Sequence, residues 1–115
     1  MPHLIEVKAR DYFLKKKTGA KKSTNKTFDF VLNNRFVELK GKGAPFSKID
    51  FISLTNKQYL AIGKIDFDIY LICGLNTNNP MMYKINPKKL MTIKARQIIS
   101  HEYDKNKIKK IIDNH

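Results

Sequence analysis

Residues 28–40 of the chain read FDFVLNNRFVELK, and this stretch constrains the fold more than any other. Two segments with alternating apolar residues flank the dipeptide Asn33-Asn34, and asparagine tolerates a positive φ. The pattern predicts strands over 27–32 and 35–40 that are joined by a two-residue turn of type I′. Such a turn sets the pairing, so that residue 30 faces 37 and residue 29 faces 38.

The two faces of this hairpin differ in chemistry. One face is predicted to carry the apolar residues Phe28, Phe30, Leu32, Val37 and Leu39. On the other face Asp29 lies opposite Glu38, with Lys40 two residues beyond. Like charges in opposed positions destabilise a strand pair, unless a cation joins them. Paired carboxylates suit Mg²⁺, whereas the alternative is that both acids face solvent and pair with lysines.

The elements before the hairpin and directly after it follow from local patterns. Apolar residues with helical spacing predict an N-terminal helix, namely Ile5, Ala9, Tyr12 and Phe13. Segments 15–26 and 40–48 are rich in lysine and contain glycine, which favours exposed loops, the first of them mobile. Residues 49–53 are predicted to form a third strand. A short helix should begin after Thr55 as its N-cap and end before Gly63.

The second half of the chain begins with DFDIYLICGL (66–75), which is apolar on both faces and predicts a central strand. MMYKI (81–85) is expected as an edge strand and Asn86-Pro87 as the start of a short helix. The segment from Ser100 onward is expected to end in a helix with Ile108, Ile111 and Ile112 on one side. The sequence thus predicts one α/β or α+β domain over 1–115, with a mixed sheet flanked by helices. Its core (2–74) has the order α-β-β-β-α-β, and a C-terminal extension covers 80–115.

The net charge of +13 predicts attraction to a polyanion, most often nucleic acid. Only three of the 23 basic residues are arginine, which favours contact with phosphates over contact with base edges. The lysines expected to contact DNA lie in the two basic loops: Lys15, Lys16, Lys17, Lys21, Lys22, Lys26, Lys42 and Lys48. RNA is not excluded as a ligand. The alternative is a compositional bias, since an AT-rich genome also favours lysine, isoleucine and asparagine.

The single cysteine and the hydropathy of the chain predict where in the cell the protein is found. Cys73 is the only cysteine and lies in an apolar run, so it is expected to be buried and to form no disulfide. No apolar run approaches the ~18 residues of a membrane span, and the charged N-terminus does not resemble a secretory signal. We therefore expect no membrane partner and an intracellular protein, in the cytoplasm or nucleoid, or in the host cell if the source is viral.

Asp29, followed after eight residues by Glu38-Leu39-Lys40, resembles the motif of the PD-(D/E)xK nuclease superfamily. Phe28 stands where that motif often has proline. The predicted element order over 2–74 is also similar to the restriction-endonuclease-like core. The resemblance implies metal-dependent hydrolysis of phosphodiester bonds. Asp29, Glu38 and the Leu39 carbonyl would hold Mg²⁺ or Mn²⁺, and Lys40 would assist the attacking water.

Two further residues are candidates on the same resemblance. Gln58 matches a glutamine that Holliday-junction resolvase-like and VRR-type nucleases carry in the following helix. Thr55-x-x-Gln58 is also a capping box, which needs no catalytic explanation. Glu6 on the first helix is a possible accessory acid near the metal, or merely an exposed helical glutamate.

These features predict a Mg²⁺-dependent endonuclease that selects branched DNA or DNA ends by structure. Two alternatives remain: a basic nucleic-acid-binding module without catalysis, and a restriction-type subunit whose target another chain selects. A homodimer is expected, because concerted cleavage of two strands needs two sites. Segment 91–112 is the candidate interface, unless it simply covers the sheet.

Overall fold

A computed structural model of the chain describes residues 4–93, 96–97 and 101–113. The helices are α1 (Leu4–Lys16), α2 (Asn56–Ala61), α3 (Pro87–Leu90) and α4 (Lys105–Lys109), with a 3₁₀ turn at Phe46–Lys48. The strands are β1 (Lys21–Lys22), β2 (Phe30–Leu32), β3 (Arg35–Gly41), β4 (Phe51–Leu54), β5 (Phe67–Cys73), β6 (Met81–Ile85), β7 (Arg96–Gln97) and β8 (His101–Asp104).

A mixed five-stranded sheet in the order β1-β2-β3-β5-β6 forms the centre of the fold. β3 and β5 run parallel, and the other neighbours in this sheet are antiparallel. Every residue of β5 is buried, as predicted for a central strand. The molecule is therefore a compact α+β domain with a mixed central sheet, which agrees with the predicted fold class at that level.

The hairpin has the register that its sequence predicts. Phe30 pairs with Val37 and Leu32 with Arg35. Asn33 and Asn34 have φ values of 53° and 63°, as a type I′ turn requires. The ladder ends at Phe30, so β2 is shorter than the predicted strand over 27–32 and the predicted pair of residues 29 and 38 does not form.

The chain bends at Asp29, and this bend overturns one part of the predicted apolar face. Phe28 does not lie beside Phe30. It stacks on Phe36, with ring centroids 5.1 Å apart, in the core on the other side of the sheet. Strict alternation of side chains holds only while the backbone stays extended, and it fails where the ladder ends.

Two apolar cores lie on the two sides of the central sheet. Ala9 and Phe13 of α1 pack with Phe30, Val37 and Tyr70 on one side. The larger core on the other side includes Ile52 of β4 and Ile69 of β5, together with Tyr103 and Ile108 from the C-terminal part of the chain. The helix predicted from Ala9 and Phe13 is confirmed by this packing.

The third predicted strand does form, as β4, but it does not join the central sheet. It pairs with β8, and β7 completes a separate three-stranded sheet in the order β4-β8-β7. β7 and β8 had no strong sequence signal, because each is short and only Tyr103 of β8 is a large apolar residue. The restriction-endonuclease-like arrangement is therefore a proposal, and only the coarser α+β class is established.

Several smaller predictions can be compared with the structure. The basic loop 15–26 is shorter than expected, because α1 continues to Lys16 and Lys21–Lys22 pair with β2. Cys73 is buried, as predicted. In the described part of the chain, no helix is both long and apolar enough to cross a membrane.

The predicted interface segment 91–112 is only partly described, since residues 94–95 and 98–100 lie outside the described residues. Ile108 is fully buried in its own chain, and Ile111 and Ile112 pack against the same core. These isoleucines cover the sheet, which is the alternative to their forming an interface. Dimerisation itself stays a prediction.

Candidate active site

Asp29 lies just beyond the end of β2, where the hairpin strands begin to separate. Its backbone N–H donates to the Val37 carbonyl at 2.9 Å, and its Oδ2 accepts from the Leu39 N–H at 2.8 Å. The carboxylate therefore replaces the next rung of the ladder. This bond fixes Asp29 against β3 although the residue is exposed to solvent.

Glu38 is in the middle of β3 and is only 7% exposed. Its Oε2 lies 3.1 Å from the Lys40 Nζ, which is two residues further along the same face. Burial raises the pKa of Glu38 from 4.5 to about 7; Lys40 opposes this rise, and the nearby Asp29 carboxylate adds to it. The predicted approach of the two acids is thus present, at an energetic cost to the ionised form of Glu38.

Gln58 connects this pair to helix α2. Its Oε1 accepts from Lys40 Nζ and from the Thr55 N–H, each at 3.1 Å. Thr55 Oγ1 in turn accepts from the Gln58 N–H, which completes the predicted capping box. The two interpretations of Gln58 therefore do not compete, since one amide oxygen both caps α2 and orients the lysine.

The four predicted residues Asp29, Glu38, Lys40 and Gln58 are brought together, although Gln58 follows Lys40 by eighteen residues along the chain. All but Gln58 line a cleft of about 600 Å³. Glu6 and Arg10 of α1 line the same cleft, as does Lys22 of β1. The cleft thus combines a buried glutamate and an exposed aspartate with the basic residues Arg10, Lys22 and Lys40.

The donor set of this cleft fits a small hard cation. In the described residues, no three His, Cys, Asp or Glu side chains cluster as a complete metal site. Mg²⁺ needs only one or two carboxylates and otherwise takes water and phosphate oxygens. The Leu39 N–H points to Asp29, and within a strand the carbonyl of a residue points to the same edge as its N–H. Asp29, Glu38 and the Leu39 carbonyl are therefore suitable oxygen donors.

The lysines predicted to contact DNA are distributed over different parts of the surface. Lys22 lines the cleft, whereas Lys16 and Lys17 line a separate hollow beside the hairpin turn at Asn33. Nζ of Lys17 lies 5.8 Å from the centre of the Tyr70 ring. The remaining predicted lysines are exposed or half-buried and line neither the cleft nor the hollow beside the hairpin turn: Lys15, Lys21, Lys26, Lys42 and Lys48.

Two residues of the site were not identified from the sequence. Arg10 lines the cleft one helical turn after Glu6, so the i, i+4 spacing of α1 could have suggested it. Thr27 holds the Gln58 amide, because its carbonyl accepts from Gln58 Nε2 at 3.4 Å. That contact joins residues far apart in the sequence and uses the backbone carbonyl of Thr27. A pattern of side chains therefore could not have predicted it.

Comparison of the sequence with models of protein families gives no match, and comparison with curated proteins gives no significant match. The functional interpretation therefore depends on the geometry of the cleft.

Proposed function

We propose that the protein is a divalent-metal-dependent nuclease that hydrolyses phosphodiester bonds of DNA on a restriction-endonuclease-like fold. The observation that supports this function best is the convergence of Asp29, Glu38 and Lys40 in one cleft. Glu38 is a buried carboxylate next to a second carboxylate, and such a pair is costly in the absence of a cation. The site therefore resembles one built to receive positive charge.

Asp29, Glu38 and the Leu39 carbonyl would hold Mg²⁺, or Mn²⁺ in its place. The ion would lower the pKa of a bound water and neutralise charge on the phosphate. Lys40 is held 3.1 Å from both Glu38 and Gln58, so its ammonium group has a defined direction. In the reaction, the water would lose a proton to solvent and its oxygen would bond to phosphorus, while the bond from phosphorus to the leaving oxygen would break and that oxygen would take a proton from solvent. Lys40 would stabilise the developing negative charge.

The substrate is proposed to be DNA selected by structure, such as branched DNA or ends. The net charge of +13 supports attachment to the phosphate backbone. Lys22 and Arg10 at the margin of the cleft would contact phosphates next to the scissile bond. Cleavage of two strands would require two such sites, which is the reason to expect a homodimer.

A second function has a specific observation in its favour. The ion pair between Lys40 and Glu38 at 3.1 Å provides a positive charge for Glu38 without any metal. This favours a basic nucleic-acid-binding module with no catalysis. Such a module would bind DNA equally well with and without EDTA, and its binding would survive the loss of Asp29 or Glu38.

The decisive experiment is incubation of plasmid and four-way-junction DNA with Mg²⁺ and the purified protein. Glu38→Ala and Lys40→Ala should each lower cleavage by roughly a hundredfold or more, as expected when a charge-stabilising group is lost. Lys57→Ala is the matched control, because Lys57 is an exposed lysine of α2 outside the cleft. Equal cleavage by all three variants would mean that the activity comes from elsewhere.

A further inference from the structure

A second hollow, of about 480 Å³, lies beside strand β6. Its wall includes Phe46, Tyr83, Met81, Lys105, Asn106 and Lys109. None of these residues belongs to the cleft that holds Asp29 and Glu38. The volume is within the usual range for sites that bind small organic groups.

Two aromatic rings form the apolar part of this hollow. The rings of Phe46 and Tyr83 lie 5.3 Å apart at an angle of 52°. Both residues pack against the large core but are only partly buried, so part of each ring faces the hollow. Met81, which is 49% exposed, extends the same surface. Partly exposed rings of this kind are stacking surfaces for nucleobases.

The charged part of the hollow is basic. Lys105 is held against the 3₁₀ turn, because its Nζ donates to the Ser47 carbonyl at 2.7 Å. Lys109 follows one helical turn later and is exposed. Among the described residues that line the hollow there is no aspartate or glutamate, in contrast to the cleft. The hollow is thus suited to an anion that also carries a flat apolar group.

The position of the hollow relates it to the cleft. β3 and β5 run parallel, so their carboxyl ends lie at the same edge of the sheet. The cleft lies at that end of β3, and the hollow lies at that end of β5, where Cys73 and Gly74 are part of its wall. β3 and β6 are two strands apart, a separation of about 10 Å. The cleft and the hollow therefore lie near the same edge of the central sheet.

We propose that this hollow binds an unpaired nucleotide of the DNA substrate, with the base on Phe46 and Tyr83 and the phosphate on Lys105 and Lys109. The proposal rests on the proposed nuclease function and narrows its substrate class. The substrate would carry a single-stranded segment near the bond that is cut. A flap, an overhang or a branch point would meet this requirement, whereas an intact duplex would not.

The test uses the absence of tryptophan from the chain. Met81→Trp places a single tryptophan, excited selectively at about 295 nm, at an exposed position of the hollow. In EDTA, a twelve-residue oligothymidine should quench its emission saturably, and a blunt duplex of the same length should quench it far less. No quenching by the single strand at saturating concentration would overturn the proposal, as would equal quenching by the blunt duplex or by polyglutamate.

A pair of lysine variants provides a second measurement. Lys109→Gln should weaken binding of the oligothymidine by roughly tenfold at low salt. Lys88→Gln, at an exposed lysine of α3 outside the hollow, should change it by less than about twofold. Equal affinities of the two variants for the oligothymidine would contradict the binding of a nucleotide in the hollow. Because these assays contain EDTA, they require no cleavage, so a failure of nucleotide binding at the hollow can be told apart from a failure of the nuclease function.

Discussion

At the scale of single residues, Glu38 has the most unusual environment. The residue is 7% exposed and its carboxyl group lies near that of Asp29, and Lys40 offsets only part of the cost of its charge. The pKa of Glu38 in the folded protein is about 7, above its ordinary value of 4.5. The folded state therefore binds this proton more tightly than the unfolded state does.

This difference predicts how stability depends on pH. Between pH 4.5 and about 7 the folded chain holds more protons at Glu38 than the unfolded chain, so the free energy of unfolding should fall as pH rises. The slope cannot exceed about 1.4 kcal/mol per pH unit, which limits the total to a few kcal/mol. Urea unfolding in EDTA at pH 5 and pH 8 measures this loss.

Glu38→Gln is the control for the pH prediction, because glutamine has a similar shape and does not titrate. The variant should lose less stability than the wild type between pH 5 and pH 8. If the two proteins lost the same amount, the titrating group would be a residue other than Glu38.

At the scale of elements, helix α2 links packing to the site. Thr55 and Gln58 cap its N-terminus, and only Gln58 also contacts Lys40. Removal of a capping side chain typically costs about 1 kcal/mol. The two residues can therefore be used to separate capping from the orientation of the lysine.

Thr55→Ala should lower the free energy of unfolding by about 1 kcal/mol and leave cleavage nearly unchanged. Gln58→Ala should have a similar or larger effect on stability and should also lower the rate of cleavage at saturating DNA. Single-turnover kinetics on both variants measure the difference. A rate for Gln58→Ala equal to that for Thr55→Ala would assign Gln58 to capping alone.

The hairpin turn is the second element with a clear prediction. Asn34 has a φ of 63°, and a β-branched residue is strongly disfavoured there. Asn34→Val should cost about 1–2 kcal/mol of stability, whereas Asn34→Gly should be neutral or slightly stabilising. Thermal or urea unfolding of both variants tests the turn. Equal stability of the valine and wild-type proteins would argue against the left-handed conformation.

At the scale of the whole molecule, exposed lysines lie near both ends of the hairpin of β2 and β3. Lys22 is at the cleft, and Lys16 lies at the hollow beside the hairpin turn. Each is an exposed lysine, and its replacement by glutamine lowers the net charge by the same amount. The two variants therefore separate local contact with DNA from general attraction.

Lys22→Gln should reduce the slope of log K against log salt by about 1, as expected for one lost phosphate contact. Lys16→Gln should reduce it by clearly less, because Lys16 lies away from the cleft. Fluorescence anisotropy with junction DNA between 50 and 200 mM salt provides both slopes. A larger reduction of the slope for Lys16→Gln than for Lys22→Gln would place the DNA on the side of the hairpin turn.

The homodimer is also a question at this scale. Ile108 contributes to the core of its own chain and cannot also form an interface. A dimer would have to use other surface, and sedimentation equilibrium at micromolar concentration would detect it. A mass equal to one chain would remove the dimer from the proposed mechanism.

Local sequence patterns were sufficient to predict the elements that have a regular spacing of apolar residues or a specific turn or cap residue. The register of the hairpin, the turn at Asn33-Asn34, helix α1, the cap of α2 and the buried strand β5 all followed from such signals. In each of them the decisive contacts lie within the element or across one short turn. The pairing predicted between residues 29 and 38 does not form, because the ladder ends at Phe30, and Asp29 is held against β3 by its side chain instead.

The remaining features depend on contacts between distant segments. β4 pairs with β8 and not with a strand of the central sheet. The paired residues lie about fifty positions apart in the sequence. Phe28 lies on the opposite side of the sheet from Phe30 because the chain bends at Asp29. The Thr27 carbonyl accepts from Gln58, which is 31 residues further along the chain. Local pattern therefore specified which residues could form a site. Tertiary packing decided which of them meet. A periodic pattern shows which face of an element is apolar, but it contains no information about which distant segment packs against that face.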